Sequence, residues 1–110
     1  MKRPLPMQEA VTFQAFVETG RNGYGGIEGE WRDQFRAFTH IDFKEGREAV
    51  IGGGWEGKAP GVLTIRNSTN AREIKRTWRV QHRGRSYDIK EPPRLSPRRT
   101  HITMIIEGRD

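Results

Sequence analysis

The chain has 110 residues, a net charge of +6 and only 33% hydrophobic residues, which fits one small domain with a modest core. It contains no cysteine, which excludes disulfides and cysteine-ligated metals, and no apolar run approaches the roughly 18 residues of a membrane-spanning helix. We therefore expect no membrane partner. The positive net charge favours an acidic partner such as nucleic acid, although a solvated charged surface would give the same composition.

The first nine residues are predicted to be a flexible tail ahead of a single domain. Pro4 and Pro6 disfavour helix and cannot donate to a sheet. From Val11 to Val17, apolar residues fall at every second position, which is typical of a strand with one buried face. We therefore place the tail at residues 1–9 and the domain at residues 10–110.

A glycine-rich segment interrupts this pattern, and a second extended stretch follows it. The segment comprises Asn22, Gly23, Tyr24, Gly25 and Gly26. Because Asn-Gly supports positive backbone φ, we expect a hairpin connection or a mobile loop, with the loop reaching from Arg21 to Gly29. The stretch from Ile27 to Ile41 again alternates, and its pattern places Phe38 on the outer face.

A short helix is predicted after the second strand. Asp42 and Glu45 have the spacing of a capping box, in which each side chain accepts a hydrogen bond from a backbone N–H of the first turn. The helix would run from Phe43 to Ile51 and stop at Gly52 to Gly54, before an exposed loop from Trp55 to Pro60. A phosphate-binding loop precedes its helix, so this glycine run has the wrong order for one.

Four more strands complete the prediction, which is a mainly β fold. They are Val62 to Arg66, Ile74 to Gln81, Ser86 to Lys90 and Thr100 to Glu107, the last with Ile102, Met104 and Ile106 facing one way. A polar turn is expected at Asn67 to Asn70, another turn at His82 to Arg85, and an irregular connection around Pro92, Pro93 and Pro97. The fold class is therefore a small β-barrel of about six short strands, with one short helix and long glycine-rich loops.

The sequence gives no sign of a catalytic site. His40, His82 and His101 lie on separate strands or turns without metal-binding spacing, and each is expected to be a surface or rim residue. Asp88 and Glu91 are close in sequence, but no pattern marks them as an acid–base pair. We therefore expect no enzyme activity, no cofactor and no metal.

Basic residues gather in the second half of the chain and include Arg72, Lys75, Arg76, Arg83 and Arg85. Such side chains can contact phosphates without regard to base sequence, and they can equally pair with acidic neighbours or face solvent. Trp78 is predicted to be in the core, whereas Trp55 on its glycine-rich loop is a candidate contact residue. One candidate function is therefore a small OB- or SH3-like barrel that binds nucleic acid directly.

An ordered series of local patterns runs through the chain from about residue 10 to 107. It comprises Phe13 to Val17, Asn22 to Gly26, Glu30-Trp31, Lys44 to Ala49, Leu63 to Arg66, Trp78 to Val80 and Gly84 to Ile89. This series resembles the head–tail joining family of tailed bacteriophages and gene-transfer agents, which includes head–tail adaptor, head-closure and stopper proteins. No single motif is specific, so the resemblance depends on their order and spacing.

The resemblance implies a structural protein of the virion neck, assembled in the host cytoplasm. It implies a homo-oligomeric ring between the portal or adaptor protein and the tail terminator or tail tube protein. Such a ring closes the filled head, retains double-stranded DNA in its lumen and offers the tail a docking surface. The five basic residues named above would then face DNA. The expected contact residues are Asn22, Gly23, Tyr24, Gly25, Gly26, Gly53, Gly54, Trp55 and Lys58.

Overall fold

The computed structural model describes residues 6–21, 23–43 and 60–108, and within these ranges the chain is mainly strand with one short helix. Every strand pairing in them is antiparallel. The elements in chain order are β1 (Glu9–Arg21), β2 (Ile27–Phe43), β3 (Pro60–Arg66), α1 (Thr69–Arg72), β4 (Arg79–His82), β5 (Arg85–Ile89), β6 (Arg94–Leu95) and β7 (His101–Gly108).

The seven strands form one sheet that closes on itself. Its order is β3-β2-β1-β4-β5-β7-β6, and an additional pairing of β3 with β7 completes the cycle. The two residues of β6 pair with Thr103 and Ile102 on β7, beyond the part of β7 that pairs with β5. Closure gives both sides of the paired segments a hydrogen-bonding neighbour, so the main body has little exposed sheet edge.

The core lies inside this closed sheet and is built mainly from alternate strand residues, with Ala71 and Ile74 added from α1 and the turn after it. On β7, Ile102, Met104 and Ile106 are all buried, which confirms the predicted face. Phe13 on β1 is fully buried and stacks on Phe35 of β2, with ring centroids 4.9 Å apart. The other buried apolar residues are Val11, Leu63, Ile65, Ala71, Ile74, Val80, Tyr87 and Ile89, with Trp78 packed against them.

The prediction of about six short strands is wrong in number and in length. The additional strand is β6, which lies inside the proline-rich connection that was expected to be irregular. β1 and β2 have 13 and 17 residues, and β2 confirms the extended stretch predicted from Ile27. The loop predicted from Arg21 to Gly29 is wrong, because Ile27 and Gly29 pair with Arg21 and Glu18. The first glycine-rich loop is therefore only the turn that joins two long strands.

The predicted helix also begins in the wrong place. Asp42 and Phe43 pair with Val62 and Gly61 as the last residues of β2, so Asp42 is not a helix cap. The rest of that predicted helix, residues 44–51, lies outside the described residues. A short helix, α1, instead occupies the position of the expected polar turn. Its cap is Ser68, whose Oγ accepts a hydrogen bond from the backbone N–H of Ala71 at 3.0 Å.

The segment after α1 was predicted to be one strand from Ile74, but β4 begins only at Arg79. Ile74 is nevertheless buried, and the backbone N–H of Trp78 donates to the carbonyl of Lys75 at 3.0 Å. This segment is therefore a turn that is held to the core by an apolar side chain. Its apolar residues produced a strand-like pattern without strand pairing.

Replacing Phe13 by alanine tests this core. We expect Phe13→Ala to lower the free energy of unfolding by about 3–5 kcal/mol, because it removes a fully buried ring and leaves a cavity. The matched control is Phe38→Ala, which we expect to cost less than about 1 kcal/mol because Phe38 is 66% exposed. Chemical denaturation measures both values. Equal losses in the two variants would contradict the described core.

Candidate functional site

The first two strands continue beyond the closed sheet as a two-stranded arm. The last pairing of β1 with β4 is at Gln14, and β2 pairs with β3 only from His40 onward. The strand residues of segments 15–21 and 27–32 therefore pair only with each other, and we call these segments and the connecting residues 23–26 the arm. At roughly 3.3 Å per residue, the β1 half of the arm is about 20 Å long. The molecule is accordingly elongated, measuring 60 × 40 × 22 Å.

A chain of polar contacts holds the base of the arm to the sheet. Nε of Arg79 donates a hydrogen bond to Oε1 of Gln14 at 2.7 Å, and Nε2 of Gln14 donates to Oδ1 of Asp33 at 2.6 Å. The guanidinium carbon of Arg79 also lies 4.4 Å from the centre of the Trp31 ring system. Arg79 on β4 therefore contacts both strands where they leave the sheet, which orients the arm.

The arm exposes three large apolar side chains, those of Phe16, Tyr24 and Ile27. The Phe16 ring packs edge-on against Trp31 and covers Gly29. A side chain at position 29 would clash there, because its Cβ would lie 2.5 Å from the carbonyl oxygen of Val17. Phe16 remains 47% exposed, and the side chains of Tyr24 and Ile27 at the tip are 99% and 60% exposed. Exposed apolar residues grouped on one projecting element indicate a contact surface.

The strand pairings define two ends of the closed sheet. The end from which the arm projects, the arm end, carries the end of β3 at Arg66 and the start of β7 at His101. The opposite end carries Phe43 and His82, whose ring centroids lie 5.9 Å apart, with Tyr87 beside them. The predicted contact and DNA-facing residues can be assigned to these two ends.

The structure divides the five predicted DNA-facing residues into two groups. Arg72, Lys75 and Arg76 are exposed on α1 and the following turn, at the arm end. Arg83 and Arg85 lie at the opposite end, in the hairpin that joins β4 to β5. Arg83 and Gly84 both have positive φ, 50° and 79°, as a two-residue type I′ turn requires, so the turn predicted here is confirmed.

The predicted contact residues are also separated along the molecule. Gly23, Tyr24, Gly25 and Gly26 form the tip of the arm. Asn22, Gly53, Gly54, Trp55 and Lys58 lie outside the described residues. The strands on either side of residues 44–59 meet at the opposite end of the sheet, where Phe43 pairs with Gly61. The described residues on either side of 44–59 therefore lie at the end of the body opposite the arm.

A groove at the arm end was not anticipated from the sequence. It has a volume of about 320 Å³ and is lined by Ala71, Arg72, Ile74, Pro93, Leu95 and Ile102. Leu95 is 45% exposed there, so the groove presents apolar surface to solvent. It forms only where α1 and β6 come together beside β7, and no local pattern in the sequence indicates that meeting.

Glu9 and His82 form a polar cluster at the opposite end. Oε1 of Glu9 accepts a hydrogen bond from Nε2 of His82 at 2.8 Å and lies 3.4 Å from the guanidinium of Arg83. The His82 hydrogen bond, aided by the charge of Arg83, lowers the pKa of the Glu9 carboxyl against the opposing effect of burial. His82 is 6% exposed and ends β4 at this end of the closed sheet, so of the two expected positions the rim fits and the exposed surface does not.

The described part of the chain contains no group of three or more His, Asp or Glu side chains placed to hold a metal ion. The other two histidines make separate local contacts: His40 contacts the carbonyl of Pro6 at 3.3 Å, and His101 contacts the Thr100 hydroxyl at 2.9 Å. Within the same residues, no helix has the length and apolar character needed to cross a membrane. The candidate functional features of the described residues are the arm, the groove and the exposed basic residues at the two ends.

Known proteins share features with this chain. A family model described as phage head completion protein matches residues 3–108. Protein SF1141 from Shigella flexneri 2a, known from its solution structure, is 20% identical, with 93% of this chain and 92% of that chain covered and a TM-score of 0.66. A chain from the virion of a native gene transfer agent particle is 15% identical, with 96% of each chain covered and a TM-score of 0.72. At these identities the two structures show a common fold. No curated protein matches the sequence significantly.

The Glu9 cluster leads to a prediction about acid stability. Because its pKa is lowered on folding, the Glu9 carboxylate stabilises the native state above the ordinary glutamate pKa, and this contribution is lost as pH falls through the lowered value. At neutral pH we expect Glu9→Gln to cost roughly 1 kcal/mol, since Glu9 is partly exposed. Below about pH 4 the difference from the parent protein should narrow.

The measurement is thermal or urea denaturation of both proteins across this pH range. Glu18→Gln is the matched control, because the 3.7 Å ion pair of Glu18 with Arg21 on the arm is exposed. It should change stability little at any pH. A Glu9→Gln deficit that stays constant down to pH 3 would show that the carboxylate does not make this contribution.

Proposed function

Because this chain belongs to the phage head completion protein family, we propose that it is a ring subunit of the virion neck that closes the filled head and receives the tail. The observation that carries the proposal is the family match over residues 3–108, nearly the whole chain. The family is structural, and the protein accordingly acts as a component of the bacteriophage virion. We propose no catalytic role for it.

The shape of the molecule supports assembly with other copies and other neck proteins. The closed sheet provides the body of the subunit, while the arm exposes apolar side chains that the body does not cover. Repeating one modest contact around a cyclic ring makes the whole assembly strong, because breaking it requires several contacts to open together. In this proposal the portal or adaptor protein lies on one side of the ring, and the tail terminator or tail tube protein lies on the other.

DNA retention is the part of the proposal that involves the basic residues. Lys75 and Arg76 are exposed and form no ion pair within the described ranges, whereas Arg83 is already close to Glu9 and Arg85 lies over Tyr87. We therefore assign the phosphate contacts of the packaged duplex to Lys75 and Arg76. Phosphate contacts do not depend on the base sequence of the DNA, and retention of any genome segment requires this independence.

A particle-assembly assay tests this function. Removing the gene from the producing phage or gene-transfer agent should yield filled heads without tails and heads that have lost DNA. Supplying the chain in trans should restore tailed particles, and electron microscopy of a tagged copy should locate it between head and tail.

The double variant Lys75→Gln, Arg76→Gln should assemble but retain DNA in fewer heads, with a matched Arg83→Gln, Arg85→Gln variant as the comparison. Deleting residues 53–58 should prevent tail joining.

The same assay separates this proposal from direct nucleic-acid binding. A copy found on free DNA or RNA and absent from the head–tail junction would contradict the neck role. Salt-dependent binding of short oligonucleotides by the monomer, with particles assembling normally in its absence, would favour the OB- or SH3-like alternative. Equal DNA retention by the two double variants and the parent would contradict the assignment of Lys75 and Arg76.

A further inference from the structure

We propose that the tip of the arm in one copy docks into the arm-end groove of a second copy. This inference rests on the proposed ring and deepens it, because it names the residues through which neighbouring subunits make contact. The donor surface is the arm tip, with Tyr24, Ile27 and Glu28. The acceptor is the groove between α1 and β6, with Leu95 and Arg72 on its border.

The two surfaces match in size and polarity. Tyr24 is the most exposed large apolar side chain in the described residues, and Ile27 beside it is also largely exposed. The groove exposes Leu95 over a floor formed by buried residues of α1 and β7, and its volume of about 320 Å³ accommodates one aromatic side chain with its neighbour. An aromatic anchor in an apolar pocket is the usual centre of a protein–protein contact.

The charges next to these apolar groups are complementary. Glu28 follows Ile27 on the arm and is exposed, and it forms no ion pair within the described ranges. Arg72 borders the groove and is likewise exposed without an ion pair there. With the tip in the groove of another copy, the Glu28 carboxylate and the Arg72 guanidinium would face each other. This assigns Arg72 to the subunit contact and leaves Lys75 and Arg76 for DNA.

The charge distribution of the whole chain favours a second copy as the occupant. In residues 6–43, which include the arm, acidic residues outnumber basic residues by six to three. In residues 60–108, which include the groove, basic residues outnumber acidic residues by eleven to four. Two unlike surfaces on one molecule make a head-to-tail contact, and such a contact closes into a ring when the rotation per subunit allows it.

Site-directed disulfide formation tests the contact directly, because the chain has no cysteine of its own. Two single variants, Tyr24→Cys and Leu95→Cys, are purified as full chains, mixed at high concentration and oxidised. The same pair is also co-expressed in particles that assemble with both variants. We expect a covalent dimer that requires both variants. The matched control is Tyr24→Cys mixed with Arg85→Cys, which places the second thiol at the opposite end of the body.

Exchanging the charges of Glu28 and Arg72 provides a second test. In the cysteine pair, Glu28→Arg on the Tyr24→Cys chain should reduce the dimer yield roughly tenfold, because it places two cations together. Adding Arg72→Glu to the Leu95→Cys chain should restore the yield, since the ion pair is then re-formed with its charges reversed. Rescue of this kind is not expected from a variant that merely misfolds.

The outcomes distinguish this contact from the proposed function. A dimer yield no higher than that of the Arg85→Cys control, in particles that carry the chain at the head–tail junction, overturns the contact and leaves the neck role intact. A disulfide that joins the Tyr24→Cys chain to a different virion protein also overturns it. A specific copy-to-copy disulfide in purified protein, with the chain absent from the junction of particles, supports the contact and contradicts the neck role.

Discussion

The pairing of β3 with β7 is the constraint on which the rest of the structure depends, because it closes the sheet and fixes how many residues of each strand can have two neighbours. β4 and β5 have four and five residues, and β3 and β7 have seven and eight. β1 and β2, with 13 and 17 residues, are too long for this body. Because the sheet is closed, the residues of β1 and β2 that extend beyond it can pair only with each other, and they project from the body as the arm.

The extra length of β1 and β2 divides the molecule into a body and an arm with different stability. The body is held by a buried core that β7 contributes to with every second residue, whereas an isolated two-stranded ribbon is marginally stable in water. Arg79 and Gln14 orient the arm at its base, and within the arm the Phe16 ring packs against Trp31. Apolar groups that gain little from folding alone would gain more by docking, which is the physical basis of the subunit contact proposed for the arm.

The sequence predicted what depends on near neighbours. Period-two alternation identified β1 and the buried face of β7, and the Arg83-Gly84 turn followed from its residue types. Asp42 illustrates the limit: its spacing from Glu45 fits a helix cap, yet pairing with Val62 on β3 makes it a strand residue. The arm, β6 and the groove all depend on strands that meet over long sequence distances, which no local pattern contains. The order of weak motifs along the chain indicated the family even though the individual elements were partly wrong.

Amide hydrogen exchange, measured on the purified chain and on assembled particles, tests whether the arm lacks support from the body and gains it on assembly. We expect arm amides in residues 16–21 and 27–31 to exchange much faster than those of β7 in the free protein, and to become protected when the particle assembles. Arm amides as slow as those of β7 in the free chain would contradict the claim that the arm lacks support from the body. Arm amides that stay unprotected in particles would contradict its role in assembly.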